Sequence, residues 1–435
     1  MDTARTAALK VLRRGRTHGE WANEGLKKAL QGMDAREAAL ATRLVYGVLQ
    51  NRLLLDAYLG ALSTLPLERV DQDVLDILRL GGYQILFLDQ IPARAAVDEA
   101  VKQTRQRAKN PKTAGFVNAV LRNLDRRKEE LGQSLQEKWK QEKNVWERLS
   151  VAYSHPRWLV EEFAKELGGD PEQVERLLEA DNAPRSMTAQ VNRCKITTQG
   201  LEDRLTGEGV VFNPHPWMED CLLLENTGNL AQLPAFQEGL FYIQDPSAKA
   251  AVLAAEPKAG EQVLDLCAAP GGKSFAAAVA MGDQGTVLSR DIYPWKVQEI
   301  ETGAARLGLT SISTAVGDGS KPVEGEYDLV IADVPCSGLG IIGKKPDIRY
   351  KDPQELDGLV QIQQAILENA GKAVRPGGRL LYATCTLRRA ENQNQVAAFL
   401  ERNKRFSLRC QRTLWPQETG TDGFYYAVLT REVGA

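Results

Sequence analysis

The chain has 435 residues, 43% of them hydrophobic and 26% charged, with 55 Lys and Arg against 57 Asp and Glu. This composition excludes a disordered, collagenous or membrane-spanning chain, and at roughly 100–200 residues per domain the length implies two to four domains, each with its own core. A net charge of -2 also speaks against holding nucleic acid through whole-chain positive potential.

The N-terminal stretch MDTARTAALKVLRRGR lacks the apolar run of a secretion signal. The six cysteines include no C-x-x-C pair, which predicts a cytoplasmic chain with reduced thiols. His18, His155 and His215 stand far apart with no ligand spacing, so no metal is expected. No window offers the roughly 18 uninterrupted apolar residues of a spanning helix.

From residue 1 to about 140 apolar residues recur three or four apart, as in Leu40, Leu44, Val48 and in Leu75, Leu78, predicting an all-α bundle of five to seven helices. AREAALATRLVYGVLQNRLLLDAYLGAL reads as two helices, DVLDILRLGGYQILFL as a pair jointed near Gly81-Gly82, and Pro92 opens the next helix. Residues 102–128 carry nine cations, Lys102, Arg105, Arg107, Lys109, Lys112, Arg122, Arg126, Arg127 and Lys128, against one acid, Asp125. That density suits an RNA-binding face, although an isolated basic run is more readily a solvated helical face. Net charge then divides along the chain: residues 1–140 hold 24 Lys and Arg against 17 Asp and Glu, or +7, leaving -9 for residues 141–435.

Residues 141–240 read as a helical linker with Trp146 and Trp158, then strand, helix and strand in MTAQVNRCKITTQGLEDRLTGEGVVFNPHPW, a small α/β connector. Residues 241–435 alternate strand runs (QVLDLCA, TVLSRD, YDLVIAD, GRLLYATCT) with helix-length segments, predicting a Rossmann-like parallel sheet covered by helices. FSLRC and FYYAVLTR add an antiparallel pair at one edge.

The first of these strands runs into Cys267, Ala268, Ala269, Pro270, Gly271, Gly272 and Lys273 and then an Ala-rich helix, so a ligand approaches backbone amides at a helix N-terminus. A phosphate loop ending at Gly272-Lys273-Ser274 needs glycine where Cys267 stands, and no G-x-G-x-x-G is present. Triphosphates and dinucleotides are therefore disfavoured. Asp291 ends the second strand, about 20 residues past the loop, where an acid bonds ribose hydroxyls, and Asp318 follows the third. A ribose-binding edge without a pyrophosphate cradle fits S-adenosyl-L-methionine.

Asp333 and Cys336 follow the fourth strand and Cys385 the fifth, so a carboxylate and two thiols converge on one edge. Cys194, Cys221 and Cys410 read as buried filler. Two thiols beside a methyl donor suit a pyrimidine: carbon 5 of cytosine is too weak a nucleophile until a thiolate adds to carbon 6. The attacking thiol needs a lowered pKa, for which Lys273 and helix N-termini are candidates. Asp333 can bond the N3/N4 edge of the base. Spacing alone leaves open which thiol attacks.

CAAPGGKS, DVPCSGLG, KPDIRY and TCTLRRAEN together resemble the RNA cytosine carbon-5 methyltransferases of the Sun/RsmB type. GLFYIQDPSA resembles the lead into that family's catalytic domain, SHPRWLV its RRM-like connector, and LVYGVLQNR, LRLGGYQILFLDQIPARAAVDEAV and FVNAVLRN a NusB-like helical domain. The resemblance implies a seven-stranded methyltransferase domain in which residues 267 to 273 and Asp291 hold the cofactor, Asp318 lies near adenine and Asp333 faces cofactor and base. It makes Cys385 the nucleophile and Cys336 the thiol that assists release. It also implies 16S ribosomal RNA as partner, naked or in an early assembly particle, the cytosine 967 site as target, and a monomer. Lys344 and Lys345 fall at a basic RNA-contacting position with Gly343 where relatives often carry a further cation, and Lys296 stands where Arg is frequent. Two alternatives share parts of the pattern: a tRNA cytosine carbon-5 methyltransferase, and a non-catalytic RNA-binding or transcription-regulating protein. The NusB-like helices speak for ribosomal RNA against the first, and the two thiols with the complete glycine loop speak against the second.

Overall fold

The structure is a computed structural model describing residues 3–225 and 227–434. The chain divides into two compact units, one of residues 3–182 with Lys344–Lys351, the other of Ala183–Gly343 with Asp352 to the C-terminus.

The first unit is helical. Among the described residues seven α-helices precede residue 142: Ala4–His18, Ala22–Ala29, Ala35–Gln50, Arg52–Leu62, Gln72–Phe87, Ala93–Arg107 and Lys112–Gln141. Asp34 and Asp71 cap two of them by accepting from the amides two and three residues on, which satisfies donors a helix start leaves open. Leu44, Val48, Leu75 and Leu78 are buried in one core with Leu55, Leu59, Leu121 and Leu124, as their spacing predicts. The joint expected at Gly81-Gly82 is absent, and Gln72–Phe87 is one helix buried on every side from Val74 to Ile85. Its glycines serve close packing: a Cβ on Gly81 would lie 2.6 Å from Leu121 Cδ1. Arg79, buried on this helix, is neutralised by a two-pronged bond to Asp56 at 2.7 Å each and by Asp76 at 3.2 Å.

Helices Val145–Ala152, Arg157–Glu166 and Pro171–Asn182, expected ahead of the small sheet as part of a connector, fall in this unit. So does the segment Lys344–Lys351, although it follows the Cys336 loop in sequence. Arg349 anchors it: fully buried, it donates to the carbonyls of Gln50 (2.9 Å) and Ser154 (3.0 Å) and to Asn182 Oδ1 (2.6 Å). The Tyr350 hydroxyl bonds Leu49 O at 2.8 Å, and Asp347 accepts from the Ala22 amide at 2.9 Å.

The second unit holds two sheets. Strands β1 (Met187–Val191), β2 (Val211–Pro214), β3 (Cys221–Glu225) and β4 (Phe241–Ile243) form an antiparallel sheet in the order β2-β3-β1-β4, with helix Thr198–Gly207 between β1 and β2. The predicted strand, helix, strand reading holds here. The larger sheet contains β5 (Gln262–Asp265), β6 (Thr286–Asp291), β7 (Ile312–Val316), β8 (Tyr327–Asp333), β9 (Val374–Thr384), β10 (Phe406–Leu414) and β11 (Phe424–Arg431), ordered β10-β11-β9-β8-β5-β6-β7. Strands β5 to β9 pair in parallel, and β10 and β11 form the antiparallel edge. Strand order reverses beside β5, and such a reversal opens a ligand crevice at the carboxyl ends of the strands. Of the three cysteines read as filler only Cys221 is buried. Cys194 lies in the turn after β1 and Cys410 on the edge strand β10 beside a register shift, both positions that face solvent.

Candidate active site

Pairing fixes which residues share the crevice. Asp265 of β5 lies opposite Ser289 of β6 and Ile331 of β8, Asp291 opposite Val316, and Asp333 opposite Ala383. The loops after β5, β6, β7, β8 and β9 therefore leave one edge of one sheet. They carry the glycine turn, Asp291, Asp318, Asp333 with Cys336, and Cys385.

The turn after β5 is tied down by Ala268 N to Arg290 O at 2.7 Å and Gly271 N to Ala268 O at 2.7 Å, with a cis bond between Ala269 and Pro270. Gly271 caps helix Gly272–Ala280 at φ 109°, and a Cβ there would strike the Phe275 ring at 2.4 Å. Glycine is required for both reasons. Gly272 faces Gln244, whose amide nitrogen lies 3.1 Å from where a Cβ would stand and whose buried Oε1 has no hydrogen-bond partner.

Four carboxylates, Asp265, Asp333, Asp291 and Asp318, act electrostatically on the Cys267 thiol, which burial already pushes well above its ordinary range. Asp265 is fully buried and bonded to Ser274 Oγ at 2.8 Å, and burial raises its carboxyl to about 7. Asp318 accepts from the hydroxyl and amide of Ser320, at 2.7 and 2.9 Å, which hold it below the usual carboxylate range. Asp291 is buried and accepts from Tyr293 N at 3.2 Å.

Lys273 reaches across to Asp333, Nζ to Oδ2 at 2.5 Å. Burial works against its charge, but Asp333 outweighs that and holds the ammonium above its ordinary value. The Sγ atoms of Cys336 and Cys385 lie 3.3 Å apart. Their hydrogen bond, then burial, then the charges of Glu391 and Asp333 keep the Cys336 thiol well above its ordinary value. Cys385 is shifted down, chiefly by the hydrogen bond with Cys336 with help from Lys273, against burial, Asp333 and Asp422. Lys273 lowers the Cys385 thiol, but the larger influence is the neighbouring thiol.

Among the basic residues, Arg105, Arg107, Lys109 and Lys112 make no ion pair within the described residues, whereas Lys102, Arg127 and Lys128 pair with Glu99, Glu130 and Asp125. Arg122 and Arg126 bond Asn118 and Asn123. Lys344 and Lys345 are exposed and belong to the same helical unit as these cations. No helix of the described residues is long and apolar enough to cross a membrane.

This sheet, with a glycine turn opening into a helix and carboxylates at successive strand ends, defines a Rossmann-like methyltransferase. The 16S rRNA methyltransferase RsmB/F family model matches residues 252–430, the NusB family model 2–126, and a ferredoxin-like domain model of RsmF/B-like methyltransferases 155–231. The probable ribosomal RNA small subunit methyltransferase B of Bacillus subtilis is 34% identical over 99% of both chains. The ribosomal RNA small subunit methyltransferase B of Vibrio cholerae is 34% identical over 98% of this chain and 97% of its own. A solved methyltransferase homolog protein from Pyrococcus horikoshii superposes with a TM-score of 0.59 at 25% identity, covering 67% of this chain and 99% of its own. The crystal structure of PH0851 gives a TM-score of 0.80 at 25% identity over 98% of both chains. The chain belongs to the RsmB/F methyltransferase family, and its methyl donor is S-adenosyl-L-methionine. The residues fit that cofactor: carboxylates suit a sulfonium and ribose hydroxyls, and Gln244 Oε1 offers an unused acceptor beside the turn.

Sequence reasoning assigned no role to Gln244, Asp265 or Glu391. Gln244 and Glu391 stood inside the quoted motifs YIQDPSA and RRAEN, and Asp265 ended a recognised strand.

Proposed function

We propose that the protein methylates carbon 5 of a cytosine in small-subunit ribosomal RNA through a covalent bond between Cys385 and carbon 6 of the base. The observation that carries this reading is the 3.3 Å thiol pair in which Cys385 is the more readily ionised sulfur. S-adenosyl-L-methionine supplies the methyl group. The Cys385 thiolate adds to carbon 6, and the electron pair displaced from the 5,6 double bond makes carbon 5 nucleophilic. Asp333, held by Lys273, stands at the strand end from which a carboxyl group reaches the N3/N4 edge of the base. After methylation a base removes the carbon-5 proton, the double bond re-forms and the Cys385 sulfur leaves. Cys336, as the protonated neighbour, donates a hydrogen bond to the departing Cys385 thiolate and favours release.

The ribosomal substrate is supported by the names of the full-length relatives from Bacillus subtilis and Vibrio cholerae. RNA is held through the cations of the helical unit, with residues 267 to 273, Asp291 and Asp318 holding the cofactor. Incubation of variants with cofactor and 16S RNA, followed by denaturing electrophoresis, tests the chemistry. Cys385→Ala yields neither product nor a protein–RNA band, whereas Cys336→Ala accumulates the covalent band. The reverse pattern exchanges the roles of the two thiols. No adduct in either variant, with product still formed, removes the covalent mechanism.

A further inference from the structure

The carboxylate of Glu391 is fully buried. Its Oε2 accepts from the backbone amide of Ser337 at 2.8 Å and from Gln363 Nε2 at 2.9 Å, and its Oε1 from Arg388 at 3.3 Å. Its own carbonyl accepts from the Tyr382 hydroxyl of β9 at 2.6 Å. Ser337 immediately follows Cys336, and its hydroxyl bonds that of Thr386, which immediately follows Cys385, at 2.6 Å. Gln363 also donates to Pro335 O at 3.0 Å, on the other side of Cys336. One carboxylate thus gathers the backbone on both flanks of Cys336 and, through Ser337 and Thr386, the residue after Cys385.

We propose that Glu391 is a positioning residue that locks the two thiol loops together and makes Cys336 the donor and Cys385 the acceptor of the hydrogen bond between the sulfurs. A buried negative charge one residue from Cys336 disfavours a second negative charge on that sulfur. Cys336 faces Cys385, Glu391, Asp333 and the Tyr382 hydroxyl. Cys385 faces Cys336, Asp333, Asp422 and the cation Lys273. Glu391 itself is offset by Arg388, which is shared with Asp357. Lys273 therefore acts on the Cys385 side and the carboxylate of Glu391 on the Cys336 side. That asymmetry assigns different tasks to two chemically identical groups. The inference rests on the reading of these thiols as the reacting pair, and its test needs neither RNA nor cofactor.

The full chain is pulse-labelled with iodoacetamide between pH 6 and pH 10, and labelling of Cys336 and Cys385 is resolved by peptide mass spectrometry. In the wild type Cys385 labels first. In Glu391→Gln the ratio of Cys385 to Cys336 labelling falls about tenfold, the equivalent of one pKa unit of differential interaction. A loop that merely loosens exposes both thiols alike and leaves the ratio unchanged. An unchanged ratio in folded Glu391→Gln overturns the proposal. If that variant does not fold, Thr386→Val, which removes the hydroxyl that bonds Ser337 and accepts from the Arg388 amide while leaving the Glu391 carboxylate in place, is used instead: a lowered ratio supports the clamp and an unchanged one rejects it. Absence of methylation with the labelling preference intact would fault the cytosine reading and leave the clamp standing.

Discussion

Asp265 shows how burial writes a pH dependence into the site. Its carboxyl is raised from the ordinary 3.8 to about 7 because it has no exposed surface, with Ser274 offsetting only part of the cost. Between those values the folded chain binds more protons at this group than the unfolded chain, so stability falls as pH rises through that window. At about 1.4 kcal/mol per unit the contribution is at most about 4 kcal/mol. Asp265→Asn abolishes it: the melting temperature of the variant relative to wild type is expected to climb between pH 4 and pH 7 and then level off. A constant difference across that range would show that Asp265 is not raised. At this scale the thiols, Asp333, Lys273 and the glycine turn were legible because their positions at strand ends follow from strand patterning. Gln244 and Glu391 were not, because their roles come from partners, at Gly272 and at Ser337 and Gln363, that only folding brings near. The source of the Cys385 shift was missed for the same reason: Cys336 lies 49 residues away in sequence and 3.3 Å away in space.

Elements were read best where pattern and environment agree. Buried parallel strands are continuous apolar runs bounded by turns, and β5, β6, β8 and β9 lie where those runs stand. Gly81-Gly82 misled because a glycine pair weakens a helix in isolation, whereas here the missing side chains admit Leu121 and Leu124. Gly81→Val places atoms inside contact distance of Leu121, and overpacking of this kind costs about 1–3 kcal/mol. A lowered midpoint in helical circular dichroism is the expected result. An unchanged midpoint would mean that the bundle opens without strain. Arg349 illustrates a limit of reading elements in order: KPDIRY lies between strands of the sheet, yet its arginine serves carbonyls contributed by residues 50 and 154.

For the whole molecule the net charge of -2 is the sum of opposed regions. Within the described residues Arg105, Arg107, Lys109 and Lys112 are four cations without ion pairs, set around the turn between helices Ala93–Arg107 and Lys112–Gln141. The carboxylates converge on the sheet edge. Reversing those four cations to Glu is expected to weaken RNA binding and to reduce the slope of log affinity against log salt by about 4, near one per lost phosphate contact. Cofactor affinity, measured calorimetrically, is expected to stay as in the wild type. An unaltered salt slope would return the run to a solvated face. The atom that receives the methyl group distinguishes this chemistry from every other RNA methylation. Nucleoside mass spectrometry with bisulfite mapping of small-subunit RNA, from cells with and without the gene, measures it directly. Loss of 5-methylcytidine at one cytosine is the predicted result, and loss of a ribose or exocyclic-nitrogen methyl group, or of a tRNA mark alone, would contradict it.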